Sequence, residues 1–128
     1  MREAVLLINF QDKERLTKMK YLLFSMKMRM VQVREEESLQ SIGYLAGMKD
    51  MEKSLEKYNG EALGQEMIVF AGLGEGRLNQ LLGGMRKSGI RVDYKAILTE
   101  TNRTWTVPEL YKELAAEHES MQKMREGK

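Results

Sequence analysis

Phosphate binding is the first chemistry that residues 70–82, FAGLGEGRLNQLL, invite: an apolar run stops at Gly72, Gly74 and Gly76 before leucines return at helical spacing. A strand, a glycine turn and a helix N-terminus offer bare amides and a favourable dipole to an anion. Polar residues that would complete such a site follow the other strands: Thr99 and Asn102 after the last, Asp12 and Arg34 after the first two. In a parallel sheet all of them share the edge formed by the strand C-termini. Against phosphate, the third glycine is one residue out of the dinucleotide fingerprint, no Gly-Lys-Ser/Thr is present, and Glu75 puts negative charge at the helix start. The matching corner of the first half, residues 9–15, turns without glycine and has Asp12 as its helix N-cap. The glycines therefore read first as a tight turn that permits positive φ, and second as an anion site.

Other chemistry is thinner. Cysteine is absent and His118 is the single imidazole, so neither a metal nor a cofactor is expected. His118 sits among Glu113, Glu117 and Glu119, while the helical positions that would pair with it as ligands hold Leu114 and Gln122. It reads as an exposed histidine among carboxylates. None of the six serines occupies a nucleophile elbow, and no nucleophile, base and electrophile converge. Trp105 invites ligand stacking, yet Thr106-Val107-Pro108-Glu109 is a capping box with proline in the first turn, and Trp105 then staples onto Leu110. Met26, Met28 and Met30 alternate with Lys27 and Arg29, which suits core packing or an apolar edge for a homodimer or a protein partner. Lys13, Arg15, Lys18 and Lys20 could meet nucleic-acid phosphates, but aromatic residues are few and Asp12 and Glu14 interleave with the cations.

The elements that must position these residues follow from hydrophobic patterning. The apolar runs AVLLINF (4–10) and MIVFAG (67–72) are buried strands, each followed by a helix: Leu16, Met19, Leu22, Leu23 and Met26 mark the first, Leu78, Leu81, Leu82 and Met85 the second. Each half then gives a more alternating strand, MRMVQV (28–33) and IRVDYKAIL (90–98), and a further helix from Ser38 or Thr106. A slide of 62 residues superposes Arg15-Leu16 on Arg77-Leu78, so the chain reads βαβα twice. The fold class is α/β, with a four-stranded, mainly parallel sheet of order 2-1-3-4 and helices on both faces; a ferredoxin-like two-layer sandwich is the alternative. Residues 1–118 form a single domain, residues 49–66 an exposed helix plus a mobile connection, and residues 119–128 a frayed helical or disordered tail.

At 128 residues the chain can bury a core without staples, and its net charge of +2 hides a sorting. Residues 1–34 carry eight Lys/Arg against three Asp/Glu, residues 35–66 three against eight. The first apolar run is too short for a signal-peptide core and nothing reaches membrane-spanning length, so a cytoplasmic, membrane-free protein is expected.

The segment YKAILTETNRTWTVPELYKELAAEH (94–118) resembles the C-terminal part of an uncharacterised family of small bacterial and archaeal proteins, a domain of unknown function. Lys95-Ala96, Thr99, Asn102, Trp105 and Glu117-His118 carry the resemblance, which extends back through MIVFAGL and more weakly to residues 41–48. It implies a shared fold and no particular chemistry. The resulting expectation is a binding or regulatory module without catalytic activity. The alternatives are a small enzyme or nucleotide-binding protein using Gly72, Gly74, Gly76, Thr99 and Asn102, and a weak nucleic-acid binder.

Overall fold

The computed structural model describes residues 2–61 and 63–126. Four strands, β1 (Ala4–Ile8), β2 (Arg29–Val33), β3 (Met67–Ala71) and β4 (Tyr94–Ile97), form one sheet in the order β2-β1-β3-β4. Helices α1 (Lys13–Ser25) and α3 (Glu75–Lys87) cover one face; α2 (Ile42–Leu45) and α4 (Val107–Glu126) cover the other. The continuous apolar runs are the two central strands, every residue of which is buried. Alternation divides them between two cores: Val5, Leu7, Ile68 and Phe70 face α1 and α3, and Ala4, Leu6, Ile8, Met67, Val69 and Ala71 face α2 and α4.

The expected order and the mainly parallel pairing are both present, with one antiparallel pair at the centre. β1–β2 and β3–β4 are parallel, whereas the central β1–β3 pair is antiparallel. The connection between the halves explains this. A parallel β3 would need a helix long enough to carry the chain back along the sheet, and α2 is a single turn of four residues. The chain instead leaves β2 and begins β3 at the same edge, where Ile8 pairs with Met67. Asn9 fixes that junction by donating from Nδ2 to Leu63 O at 2.8 Å and Gln65 O at 3.2 Å.

The repeat read from the sequence becomes a pseudo-two-fold. Helix α1 maps onto α3 with a shift of 62 residues, and β1 onto β3 with 63. Equivalent residues then meet each other, as an axis through the sheet requires: Leu6 pairs with Val69, and a Cβ on Gly84 would lie 2.7 Å from Leu22. On the far face the cap residues Ser41 and Thr106 form an isolated antiparallel bridge. The positive φ values match as well, Asn9 with Gly72 (62° and 73°) and Lys27 with Gly89 (58° and 72°). Two ion pairs brace the halves under the same symmetry: Arg15 to Glu66 at 2.5 Å, and Arg77 to Glu3 at 2.8 Å. Each arginine also donates to a carbonyl in the other half's helix-to-strand turn, Arg15 to Arg91 O and Arg77 to Met26 O, both at 2.6 Å.

Two local expectations change. The described residues of 49–66 form no helix; Gln40, buried, clamps the segment by accepting from Ser54 N at 2.7 Å and donating to Ser54 O at 2.8 Å. The alternating stretch 90–98 is a strand only from Tyr94. Ile90 and Val92 pack on the α1/α3 side, and the chain switches phase before Tyr94, Ala96 and Leu98 face α4. At the C-terminus α4 continues through Glu126, while residues 127–128 of the expected tail lie outside the described residues.

Candidate functional site

The antiparallel centre divides the residues that a parallel sheet would have gathered. Asp12 and Arg34 follow β1 and β2 at one edge; Gly72, Gly74, Gly76, Thr99 and Asn102 follow β3 and β4 at the opposite edge. The single site expected at one set of strand C-termini is therefore not assembled. Asp12 is the N-cap of α1, accepting from Glu14 N at 3.0 Å and Arg15 N at 3.3 Å. Arg34 is exposed, between Glu36 and Glu37.

Of the three glycines, only Gly72 has the positive φ that a side chain would strain. Gly74 is the N-cap of α3 with φ −73°, and a Cβ at Gly74 or Gly76 would meet nothing within 4 Å. Thr99 and Asn102 close a turn on each other. Asn102 Oδ1 accepts from Thr99 N at 2.9 Å, Thr99 Oγ1 accepts from Asn102 N at 3.1 Å, and Asn102 Nδ2 donates to Ile97 O at 3.0 Å. Their polar atoms serve the end of β4. Glu100 pairs with Arg103 and is exposed.

Most of the methionine edge is turned into the core. Met26 and Met28 are buried in the α1/α3 core and Met30 packs against it, because the turn after α1 folds inward. His118 does not lie simply among carboxylates: it is half-buried with its ring 5.6 Å from that of Tyr94, which also packs on Tyr111 at 5.2 Å. Burial raises the Tyr94 hydroxyl pKa above its usual value, with the nearby Tyr111 and Asp93 acting in the same direction. Among the described residues no three His, Cys, Asp or Glu side chains are grouped to hold a metal. Among the same residues no helix is long and apolar enough to cross a membrane.

The cap expected before α4 is formed. Thr106 N donates to Glu109 Oε1 at 3.0 Å, and the Thr106 hydroxyl donates to the same oxygen at 2.9 Å. The backbone bond, then the hydroxyl, hold the Glu109 carboxyl below the usual range. This cap sets where α4 starts and hence which of its faces meets β4. Trp105 packs into the α2/α4 core at that corner.

The feature that sequence reasoning missed is what this corner encloses. A groove of about 510 Å³ runs along β4, the outer strand of the second half. Leu78 and Leu82 of α3 form one wall; Leu110, Glu113, Leu114 and Glu117 of α4 form the other, at helical spacings of three and four. Lys95, Ala96 and Ile97 lie along the floor, Trp105 and Asn102 close one end, and Ile97 is 53% exposed. Leu98 N–H turns inward to Phe70 O at 2.9 Å, so strand alternation turns the backbone groups of Lys95 and Ile97 outward. Asn102 takes the Ile97 carbonyl from that side, which leaves the Lys95 amide, the Lys95 carbonyl and the Ile97 amide along an open edge. Lys95 Nζ donates to Val92 O at 2.6 Å and is held at the groove's other end. Among the described residues Glu113 and Glu117 have no ion-pair partner. The sequence signal was available in principle: an edge strand carrying Ile97 on its otherwise polar side, and glutamates alternating with the leucines of α4.

Residues 66–121 match a domain of unknown function, DUF3783. The match takes in β3, α3, β4 and most of α4, and with them every residue that lines the groove. Residues 41–48, where the resemblance was weaker, lie outside it. No curated protein and no solved structure matches the chain.

Proposed function

We propose that this protein is a binding module that accepts an extended segment of a partner protein as an added strand on β4, the segment carrying alternating apolar residues and at least one Lys or Arg. The observation that carries the reading is the unpaired backbone of β4 lying in an apolar groove between two helices. A strand added there pairs with the outward amides and carbonyl of Lys95 and Ile97 and seats alternate side chains against Leu78 and Leu82 or Leu110 and Leu114. Charge selects the occupant. Glu113 and Glu117 on the α4 wall favour a cationic side chain on that face of the added strand. They also disfavour a second copy of the chain. Two β4 strands joined about an axis normal to the sheet would set the acidic walls of both α4 helices against each other.

Random peptides of strand length, displayed and selected on the protein, test this reading. Enriched sequences should alternate apolar residues with Lys or Arg, shift the amide signals of Lys95 and Ile97, and change the fluorescence of Trp105 at the groove's end. Ile97→Pro, which removes an outward amide, and the Glu113→Lys/Glu117→Lys pair should each weaken binding at least tenfold, about 1.4 kcal/mol. No enrichment, enrichment without basic residues, or equal binding by both variants would overturn the proposal.

A further inference from the structure

A different surface, on the opposite side of the sheet from α4, carries a second ligand signature. Helix α1 buries Met19 and Leu23 in the core, and the residues on its outward face include two large aromatics, Tyr21 and Phe24, 73% and 82% exposed. They stand three residues apart, one turn along the same face. Lys20 precedes Phe24 by four residues, Lys13 lies two turns before Lys20, and Lys27 stands in the turn that follows the helix. Lys13, Lys20 and Lys27 are exposed, and among the described residues none has a carboxylate within ion-pair distance; Lys18 pairs with Glu14. The neighbouring α3 adds exposed Arg86 and Lys87, which likewise have no carboxylate within ion-pair distance among the described residues, whereas Arg15, Lys18 and Arg77 of the two helices pair with Glu66, Glu14 and Glu3. Lys13, Lys20, Lys27, Arg86 and Lys87 are thus the cations of this face that none of the ion pairs takes up.

We infer that the α1 face binds single-stranded nucleic acid, with bases stacked on Tyr21 and Phe24 and phosphates met by Lys13, Lys20 and Lys27. Exposed rings offer π-surfaces that bases of any sequence can use, and unpaired lysines on the helix and in the turn after it supply the backbone contacts. Two other anionic partners fit less well. An anionic bilayer needs an apolar helix face to insert, and the apolar stripe of α1 is already committed to the core. Duplex nucleic acid keeps its bases stacked inside and gives the two rings nothing to cover. A second copy of the chain would bring lysine against lysine around the rings.

Anisotropy of fluorescein-labelled oligodeoxythymidylate and oligouridylate, titrated with the full chain over a range of salt, tests the assignment. Binding should weaken steeply with salt and exceed that of a duplex of equal length. Phe24→Ala and Tyr21→Ala should each cost about fivefold or more, and Lys20→Glu with Lys27→Glu should flatten the salt dependence by about 0.7 per lost phosphate contact. The substituted side chains are exposed, so urea midpoints should not move, which separates lost binding from lost folding. Trp105 fluorescence should stay constant, keeping this surface distinct from the β4 groove. Absence of binding at low salt would overturn the assignment. So would equal affinity for duplex, or losses in the lysine variants without losses in the aromatic ones, which is the pattern of an unspecific polyanion contact.

Discussion

Asn102 separates a structural from a ligand-holding polar residue at the end of β4. It is 8% exposed, its Oδ1 accepts from Thr99 N at 2.9 Å, and its Nδ2 donates to Ile97 O at 3.0 Å. Asn102→Ala removes both bonds, each worth about 0.5–1.5 kcal/mol net, and strands the Thr99 amide in a half-buried turn. The combined loss should be about 2–3 kcal/mol. With a urea slope of about 2 kcal/mol per molar, the unfolding midpoint should fall by about 1 M at unchanged slope. Thr99→Val, which removes the acceptor for Asn102 N–H, should cost about 1 kcal/mol. The double variant should cost less than the two singles together, because both act on one turn. Urea unfolding followed by circular dichroism reads all three. A midpoint shift for Asn102→Ala below about 0.3 M would refute the reasoning, since a residue whose polar atoms awaited a ligand would leave the free protein's stability in place.

Two glycines should respond in opposite directions. Gly76→Ala, in the open first turn of α3, should stabilise by about 0.4–1 kcal/mol; Gly43→Ala, whose Cβ would stand 2.9 Å from Arg103 O and 3.0 Å from Met51 Cγ, should destabilise by about 1–3 kcal/mol, both read as thermal midpoints. Acid sensitivity follows from carboxylates held below their ordinary values, Glu3 chiefly by its hydrogen bond with Arg77, Asp50 chiefly by Arg103, and Glu109 chiefly by the Thr106 backbone. Because their folded pKa values are lowered, their stabilisation is full above the unfolded carboxylate range and is lost as pH falls through the folded values. Urea midpoints measured from neutral pH down to about pH 3 should therefore decline, and Glu3→Gln should flatten part of that decline; an unchanged acid limb in this variant would show that the Glu3–Arg77 brace contributes nothing to it.

The sequence alone determined the parts that depend on neighbours in the chain. The two continuous apolar runs could only be central strands, the leucine and methionine spacings marked the inner faces of α1 and α3, and Asp12 and the Thr106–Glu109 box announced the caps of α1 and α4 from residue type and offset. The strand order was legible too, since two buried and two half-polar strands leave few arrangements. The parallel pairing within each half was legible as well, but the direction of one half against the other was not. It turns on the single turn of α2 and on the side chains of Asn9 and Gln40, which hold the connecting segment through contacts 14 to 56 residues away in the chain. That one reversal separates Asp12 and Arg34 from Thr99 and Asn102, and it lets Arg15 reach Glu66 and Arg77 reach Glu3 across the axis. The groove and the exposed rings of Tyr21 and Phe24 are tertiary facts for the same reason. Whether a leucine or a phenylalanine is buried depends on what the rest of the chain brings against it, and nothing in its immediate neighbours records that.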